Sequence, residues 1–409
     1  MGRILRIAML SVHSSPLGRL GSADTGGMSV CLLELASEFG KRGHHVDIFT
    51  RQSAQGLQQV IEYAPHVRII NLSVEGTEEF LRAALFEHLH LFCTAIDSFK
   101  RQKGVSYDLI HSNYWLSGVV GEQLKALWHC PHVITFHTLA AVKMAALNGH
   151  TEDRKRIAEE VRLLRCCDGV IVPTAQEGQY LASMIPGETA SLHHIPWGVN
   201  TDHFTTGDPA AARLKIAGLD DKPLVLFVGR FDPMKGIELA LRSLCHLVNT
   251  PEVQLVLIGG DGPESDSYQR IEQLANGLGI GGRVHFLGLV EHSQMVLYYQ
   301  KADAVVVSSL YESFGLVILE ALASGTPVAS TPVGIAPYVI EPGANGYLAA
   351  VGDERSLAAA ISNALALAER QEAEKIRQSV SDFTWSRVAT LLLDAYNTTL
   401  LHPKIKSFT

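Results

Sequence analysis

The sequence lacks the cysteine patterns that hold zinc ions or form disulfide frameworks. Its 6 cysteines include no C-x-x-C pair, and paired spacings of that kind are the usual signature of both kinds of site. We therefore expect free, buried thiols kept in a reducing compartment, and we expect the protein to be cytoplasmic.

Motifs that would bind a metal ion are missing as well. The 18 histidines form neither an H-x-x-x-H nor an H-E-x-x-H motif, which are the usual spacings of zinc ligands on a helix. No Asp-x-Asp motif, which would bridge a metal ion and a diphosphate, is present either. The sequence thus predicts no metal site and no bound cofactor.

Long apolar runs and a surplus of basic residues are also absent. After Arg3 and Arg6, the first apolar run covers only Ile7–Leu10, and no run approaches the roughly 18 residues of a membrane-spanning helix. The net charge of −8 argues against a nucleic-acid partner, which needs a broad basic face. The pattern predicts no signal peptide and no transmembrane segment, and it leaves peripheral membrane contact and a homodimer open.

A regular alternation of short apolar runs and longer segments of helical period extends along the 409 residues. This alternation is typical of parallel βαβ units, and the length suits two α/β domains of about 200 residues each. We predict a first domain over 1–200 and a second over 201–384, with a polar linker at 200–221 and a C-terminal helix, about 385–409, that could fold back on either domain. Strands are expected at 7–12, 46–50, 109–111, 133–136, 170–173, 224–229, 254–258, 284–287, 304–308 and 327–330.

Two glutamates flank a predicted helix start in the segment Tyr311–Ala321. Glu312 precedes the helix, whose free backbone N–H groups and positive dipole end favour a phosphate. Glu320 lies about 7.5 Å further along the helix axis, which suits a second hydroxyl-bearing ring. Gly315 in the first turn indicates close approach of the backbone to a ligand. The segment predicts a site for a ligand built as sugar–diphosphate–ribose, and the alternative is a capped helix with two solvated glutamates.

Two cations, Arg230 and Lys235, follow the first strand of the second predicted domain, in the segment Gly229–Gly236. An arginine fork and a lysine point charge on one turn can both face a single anion. The pair predicts neutralisation of a diphosphate without a metal ion. A surface loop with two unrelated cations is the alternative.

Two further segments follow predicted strands of the first domain. Asp24–Met28 places Gly26 and Gly27 at a helix N-terminus, where a ligand can touch the backbone. It lacks the G-x-G-x-x-G fingerprint of dinucleotide-binding loops. His137 follows another strand and is expected at the carboxyl edge of the sheet, where ligands bind. A flexible loop and a structural histidine are the alternatives.

Together these segments resemble glycosyltransferase family 4. The E-x7-E stretch 312–320, the Arg230/Lys235 pair and the Gly26-Gly27 loop occur in the family's order. Within the family, stretches 24–28, 111–118 and 137–143 are most similar to the D-inositol-3-phosphate glycosyltransferase and sucrose-phosphate synthase branches, which use phosphorylated acceptors. The resemblance implies two facing Rossmann-like domains with a cleft between them. It also implies a retaining, metal-independent transfer of a hexosyl group from a nucleotide-sugar donor, with a UDP-sugar expected, to a small-molecule acceptor.

For the donor, the resemblance implies contacts from side chains and from backbone groups. Glu312 holds hydroxyl groups of the sugar, and Glu320 holds the ribose. Arg230 and Lys235 neutralise the diphosphate, and His137 contacts the sugar near the reacting carbon. The backbone contacts come from Gly26, Gly27, Phe314, Gly315 and Leu316.

For the acceptor, the implied contacts come from Tyr114, Lys143 and Arg156. The two cations suit a phosphate on the acceptor, and a solvated helix face is the alternative for both. One departure from the family concerns the segment Glu75–Phe80, which is acidic where the inositol-phosphate branch carries a basic residue. Repulsion between this segment and an anionic acceptor argues against that particular acceptor.

Three other functions stay open at this point. A nicotinamide-dependent oxidoreductase would share the fold, although the glycine fingerprint is missing after the first strand. A catalytically silent sugar- or nucleotide-binding protein is the second, and the intact charged residues argue against it. A sugar-nucleotide epimerase of the same two-domain architecture is the third.

Overall fold

A computed structural model describes residues 3–18, 26–52, 58–74, 82–146, 154–188, 191–207, 222–247, 250, 252–368 and 372–403. The chain divides into two compact units. The first unit contains the described residues through Pro196 together with those from Trp385 onward, and the second contains those of Trp197–Thr384.

Strands and helices alternate in both units. The strands are β1 (Arg6–Ser11), β2 (His45–Arg51), β3 (Val60–Ala64), β4 (Val67–Leu72), β5 (Leu109–Asn113), β6 (His132–Thr135), β7 (Gly169–Val172), β8 (Leu192–His194), β9 (Leu224–Val228), β10 (Gln254–Ile258), β11 (Val284–Gly288), β12 (Ala304–Val307), β13 (Val328–Ser330) and β14 (Gly346–Leu348). The α-helices are α1 (Gly27–Lys41), α2 (Leu89–Lys103), α3 (Trp115–Trp128), α4 (Ala140–Ala146), α5 (Arg154–Cys166), α6 (Ala175–Met184), α7 (Ile237–Leu244), α8 (Asp266–Gly277), α9 (Met295–Lys301), α10 (Leu316–Ala323), α11 (Ala336–Val339), α12 (Glu354–Ala368), α13 (Ala373–Gln378) and α14 (Trp385–Leu401). Short 3-10 helices cover Arg82–His88, Pro233–Lys235, Gly281–Arg283 and His292–Gln294.

The sheet of the first unit has the strand order β3-β4-β2-β1-β5-β6-β7-β8 within the described residues. Its neighbouring strands are parallel, apart from the antiparallel pair of β3 and β4. The order reverses between β1 and β5, so these two strands form a topological switch point. In α/β sheets, ligands bind beyond the carboxyl ends of the strands at such a point.

The sheet of the second unit has the order β11-β10-β9-β12-β13-β14, and its strand pairs are parallel. Here the switch point lies between β9 and β12, which pair in register through Ala304 with Val225 and Val305 with Leu226. These strands are buried over nearly their whole length, as parallel strands covered on both faces are. Both sheets confirm the predicted α/β class.

The last helix, α14, packs against α1 of the first unit. The hydroxyl group of Tyr396 lies 2.6 Å from Nδ1 of the fully buried His111 on β5. On the surface, the guanidinium group of Arg42 donates a hydrogen bond of 3.0 Å to Thr390 Oγ1. The first unit is therefore assembled from both ends of the described chain.

The cysteines are free thiols, but they are not all buried. Cys31, Cys130, Cys166 and Cys167 lie in the interior, whereas Cys93 is half-buried and Cys245 is exposed. The expectation of buried thiols is wrong for Cys245, because it lies just beyond the end of α7. Among the described helices, none is both long enough and apolar enough to cross a membrane.

Candidate functional site

Two loops of the second unit lie side by side at its switch point. The loop Gly229–Gly236 follows β9, and the loop Ser308–Gly315 follows β12, the strand paired with β9. Parallel neighbours end at the same edge of a sheet, so the topology brings together two segments that lie far apart in the sequence. The predicted segments Gly229–Gly236 and Tyr311–Ala321 are therefore neighbours in the folded second unit.

Backbone contacts hold these loops together. The amide of Leu310 donates to the carbonyl oxygen of Met234 at 2.8 Å, and the Ser308 hydroxyl donates to the carbonyl oxygen of Lys235 at 3.1 Å. Gly236 has a φ of +63°, and a Cβ atom there would lie 2.0 Å from the carbonyl oxygen of Ser308. Only glycine fits this close approach.

Lys235 and Glu312 form an ion pair between the two loops. Nζ of Lys235 lies 2.6 Å from Oε1 of Glu312, and the Ser309 hydroxyl donates to the same oxygen at 2.7 Å. Arg230 is half exposed, and its guanidinium group lies 3.9 Å from the carboxylate of Asp232. The loops thus present a cation and a carboxylate in contact, with a second cation on the same turn.

The loop after Glu312 leads directly into α10. Phe314 is buried, and Gly315 is the residue before the helix, with a φ of +94°. The expectation that Gly315 lies within the first turn is wrong, because the chain takes a left-handed conformation there before the helix begins at Leu316. Glycine is required at this position for its backbone conformation. The first amides of α10 have no acceptor within the helix and carry the positive end of its dipole.

Glu320 lies on α10 and is almost completely buried, with 6% of its surface exposed. The hydroxyl group of the fully buried Tyr299 donates to its Oε2 at 2.8 Å, and Nε2 of His292 lies 2.8 Å from its Oε1. The ring of Phe204 packs against both partners, at centroid distances of 5.8 Å from Tyr299 and 5.4 Å from His292. The carboxylate is therefore held in one orientation rather than solvated.

In the first unit, Gly26 and Gly27 lie at the start of α1. Gly26 has extended backbone angles that any residue adopts, and a Cβ atom on it would meet no atom of the described residues within 4 Å. Neither backbone conformation nor packing within the described chain requires glycine here. Asp24 and Thr25, which belong to the same predicted segment, lie outside the described residues.

His137 follows β6 and contacts Asn113 at the end of β5. Nε2 of His137 lies 2.9 Å from Oδ1 of Asn113. Burial, with a smaller contribution from the nearby His111, lowers the pKa of His137 to about 3. The imidazole is therefore neutral near pH 7 and can donate from one nitrogen while it accepts on the other.

Tyr114 and Arg156 contact each other inside the first unit. The guanidinium carbon of Arg156 lies 5.0 Å from the centroid of the Tyr114 ring, within the range of cation–π contacts. Arg156 is buried, forms an ion pair of 2.7 Å with Glu160 and donates to the carbonyl oxygen of Thr138 at 2.9 Å. A solvated helix face is thus wrong for Arg156. Lys143 lies half-buried on α4.

The structure also shows residues to which the sequence assigned no role. These are the partners of the predicted residues, namely Ser309, His292, Tyr299, Asn113 and Glu160. The spacing of four residues between Arg156 and Glu160 on one helix could have predicted their ion pair from the sequence. Asn113 lies in the stretch 111–118 that resembles the family, and the other three carry no local signal. The acidic segment Glu75–Phe80 lies outside the described residues. Among the described residues, no three histidine, cysteine, aspartate or glutamate side chains cluster as metal ligands would.

Comparisons with known proteins agree across nearly the whole chain. The family model described as Glycosyltransferase Family 4 matches residues 25–203, and the one described as Glycosyl transferases group 1 matches residues 212–379. A D-inositol 3-phosphate glycosyltransferase from Geodermatophilus obscurus is 36% identical over 401 residues, covering 96% of this chain and 89% of that protein. One from Corynebacterium jeikeium is 38% identical over 354 residues, 84% of each protein.

Solved structures also match this chain over nearly its whole length. A sucrose-phosphate synthase from Thermosynechococcus elongatus is 35% identical with a TM-score of 0.88, covering 97% of this chain and 99% of that one. The Anabaena protein HepE, solved with UDP and glucose, is 21% identical with a TM-score of 0.73, covering 96% and 100%, and shows the shared fold. The matched family is one of glycosyltransferases, not of nicotinamide-dependent oxidoreductases or epimerases. This chain is a member of glycosyltransferase family 4 and has the family's B-type fold of two α/β domains.

Proposed function

We propose that this chain transfers a hexosyl group from a nucleotide-diphosphate sugar, with a UDP-sugar as the expected donor, to a hydroxyl group of a small phosphorylated sugar or polyol. The observation that carries the proposal is the contact of 2.6 Å between Lys235 and Glu312. A cation suited to a diphosphate stands beside a carboxylate suited to sugar hydroxyls, at the strand ends where α/β proteins bind ligands.

The ends of two helices support a diphosphate in the donor. The first turn of α1 begins at Gly27, directly after Gly26, and the first turn of α10 follows Gly315. Neither of these turns contains an acidic residue. Each helix start therefore offers unpaired amides and a partial positive charge to an anion. In the proposed complex, the amides of Phe314, Gly315 and Leu316 and the side chains of Arg230 and Lys235 share the negative charge of the leaving group.

We propose that the reaction retains the anomeric configuration and needs no metal ion. The bond from the anomeric carbon to the diphosphate oxygen breaks, and the acceptor oxygen bonds to that carbon on the same face. The acceptor proton passes to the leaving diphosphate, so no base from the protein is required. Arg230, Lys235 and the start of α10 stabilise the charge that develops on the leaving oxygen, while Glu312 and His137 position the sugar and Glu320 holds the ribose.

The acceptor is proposed to contact Tyr114, Lys143 and Arg156 of the first unit. A phosphorylated acceptor is supported by the half-buried Lys143 on α4 and by the names of the similar proteins, D-inositol 3-phosphate glycosyltransferase and sucrose-phosphate synthase. The charge of Arg156 is offset by Glu160. The stacking of Arg156 on Tyr114 orients both side chains. The acidic residues of Glu75–Phe80 argue against inositol 3-phosphate itself as the acceptor.

A mass-spectrometric screen tests this function. UDP-, ADP- and GDP-hexoses are offered in pairs with sugar phosphates and polyol phosphates, and the products are searched for a new glycoside together with free nucleoside diphosphate. The coupling constant of the new anomeric proton then reports retention or inversion. We expect undiminished turnover in excess chelator. Release of neither product with any pair would overturn the proposal, and an inverted product or a strict metal requirement would overturn those parts of the mechanism.

A further inference from the structure

Asn113 and His137 occupy neighbouring strand ends in the first unit. Asn113 is the last residue of β5 and pairs in register with Thr135, the last residue of β6. His137 follows two residues later, and its Nε2 lies 2.9 Å from Oδ1 of Asn113. Asn113 is buried, with 3% of its surface exposed, whereas His137 is half-buried.

The surroundings of Asn113 determine which atom of its amide faces the histidine. Its Nδ2 group donates to the carbonyl oxygens of Leu10 and His111, at 3.4 and 3.5 Å. An amide nitrogen donates and cannot accept, so these two carbonyls orient it away from the imidazole. Oδ1 then faces Nε2 of His137, and a hydrogen bond between them requires the proton to be on Nε2.

The backbone also restricts His137. Its φ is +59°, a left-handed value that few residues other than glycine adopt. The amide of Thr138 donates to the carbonyl oxygen of Phe136 at 2.7 Å, which closes a tight turn around His137. Tyr114, next to Asn113, has a φ of +76°, and its amide donates to Thr135 at 2.8 Å. Strained positions of this kind cluster where side-chain direction matters for function.

We propose that Asn113 is a positioning residue that fixes His137 as the tautomer with its proton on Nε2, so that Nδ1 can only accept a hydrogen bond. This inference rests on the proposed function and deepens it. A histidine set in this way recognises an O–H group of the donor sugar and does not bind an anion. Burial keeps the imidazole of His137 neutral near pH 7. The position of its single ring proton therefore decides which nitrogen donates a hydrogen bond and which accepts one.

Nitrogen NMR of histidine-labelled protein tests the tautomer without any substrate. Two-bond proton–nitrogen correlations distinguish a protonated from an unprotonated ring nitrogen, and H137Q identifies the signals by their loss. We expect a single Nε2-protonated form in the wild-type protein and a mixture of tautomers in N113A. N113D keeps an acceptor and should retain the Nε2 proton, and its carboxylate should also raise the pKa of His137. A single unchanged tautomer in N113A would overturn the inference.

Kinetics with UDP-glucose and its monodeoxy analogues provides the second test. We expect N113A to lower kcat/KM by about tenfold, the effect of one mispositioned hydrogen bond. The loss should not add to the loss caused by removing the hydroxyl that His137 recognises. N71A is the matched control, because Asn71 is also buried in the first unit and bonded to a carbonyl oxygen, that of Gln58. Additive losses, or an equal loss in N71A, would overturn the positioning role.

The two tests separate the inference from the proposed function. If wild-type protein turns over none of the nucleotide sugars, the proposed function fails, and the NMR measurement still decides whether Asn113 sets the tautomer. If turnover is found and the tautomer is unchanged in N113A, the inference fails alone.

Discussion

Nζ of Lys235 lies 2.6 Å from Oε1 of Glu312 and joins the loop after β9 to the loop after β12. The side chains are 26% and 14% exposed, so the pair is only partly screened by solvent. Its charges offset each other before any ligand is bound. A diphosphate that approaches this site would compete with Glu312 for the ammonium group, and the carboxylate would gain access to hydroxyl donors instead.

Loss of either cation of the β9 loop should reduce turnover strongly. We expect R230A and K235A each to lower kcat by ~100-fold or more, as for the loss of an oxyanion donor. The measurement is steady-state turnover with the donor–acceptor pair found by the screen. K375A is the matched control, since Lys375 forms a surface pair with Glu372 in the same unit. Unchanged turnover in both R230A and K235A would exclude the pair from the reaction.

Replacement of Gly236 should separate the two loops. In G236A the new methyl group would lie 2.0 Å from the carbonyl oxygen of Ser308, at a residue with a φ of +63°. We expect a lower thermal unfolding midpoint, at a cost of about 1–3 kcal/mol, together with reduced turnover. G277A is the control, because a Cβ atom at Gly277 meets no described atom within 4 Å. Similar midpoints for the two variants would contradict the tight packing inferred here.

Removal of the Tyr299 hydroxyl should weaken donor binding. Y299F deprives the buried Oε2 of Glu320 of its donor, and the carboxylate should then reorient. We expect the KM for the donor to rise about tenfold, consistent with the ~1–3 kcal/mol cost of an unsatisfied buried acceptor. Y396F removes an equally buried hydroxyl group, bonded to His111 in the other unit, and should leave that KM unchanged. A rise of equal size in both variants would indicate a general loss of stability.

The buried histidines His111 and His132, together with His137, should make the first unit sensitive to acid. Burial lowers the pKa of His111 and of His132 from the ordinary 6.5 to about 3. Between these values the unfolded chain binds protons that the folded chain does not, so stability falls as the pH drops from about 6.5 toward 3. The free energy of unfolding should change by up to about 1.4 kcal/mol per pH unit for each histidine.

Denaturant unfolding at several pH values between these limits measures that slope. H111Q should reduce it, because one of the histidines that bind a proton only on unfolding is gone. Y396F should lower stability at every pH and keep the slope, since His111 remains buried. Equal slopes in wild-type protein and H111Q would show that His111 does not contribute.

Most of the parallel strands were predicted, because burial on both faces makes them continuous apolar runs. β4 (Val67–Leu72) was missed although it is mostly buried and parallel to β2. The run 224–229 predicted β9, which covers Leu224–Val228. β3 (Val60–Ala64) was not predicted, since it is an antiparallel edge strand whose residues are partly exposed. β8 and β14 were missed because they are three-residue edge strands that are mostly not buried. β13 is equally short, but it is fully buried and was predicted.

The sequence predicted individual residues of the candidate site, but it did not predict which of them contact each other. Lys235 and Glu312 are 77 positions apart, and their contact depends on β9 and β12 being neighbours in the sheet. The bonds from Tyr299 and His292 to Glu320 likewise follow from tertiary packing. Sequence patterns identify which residues carry charge at strand ends, whereas the partners of those residues depend on the folded topology.

The position of α14 has a consequence for synthesis. In the part of the chain that the structure describes, the second unit is formed by Trp197–Thr384 alone. The first unit also needs Trp385–Leu401, which covers α1 and supplies the Tyr396 hydroxyl for His111. During translation, the described residues of the second unit are therefore all synthesised before the helix that completes the first unit. Completion of the first unit thus depends on residues that are synthesised after the described residues of the second.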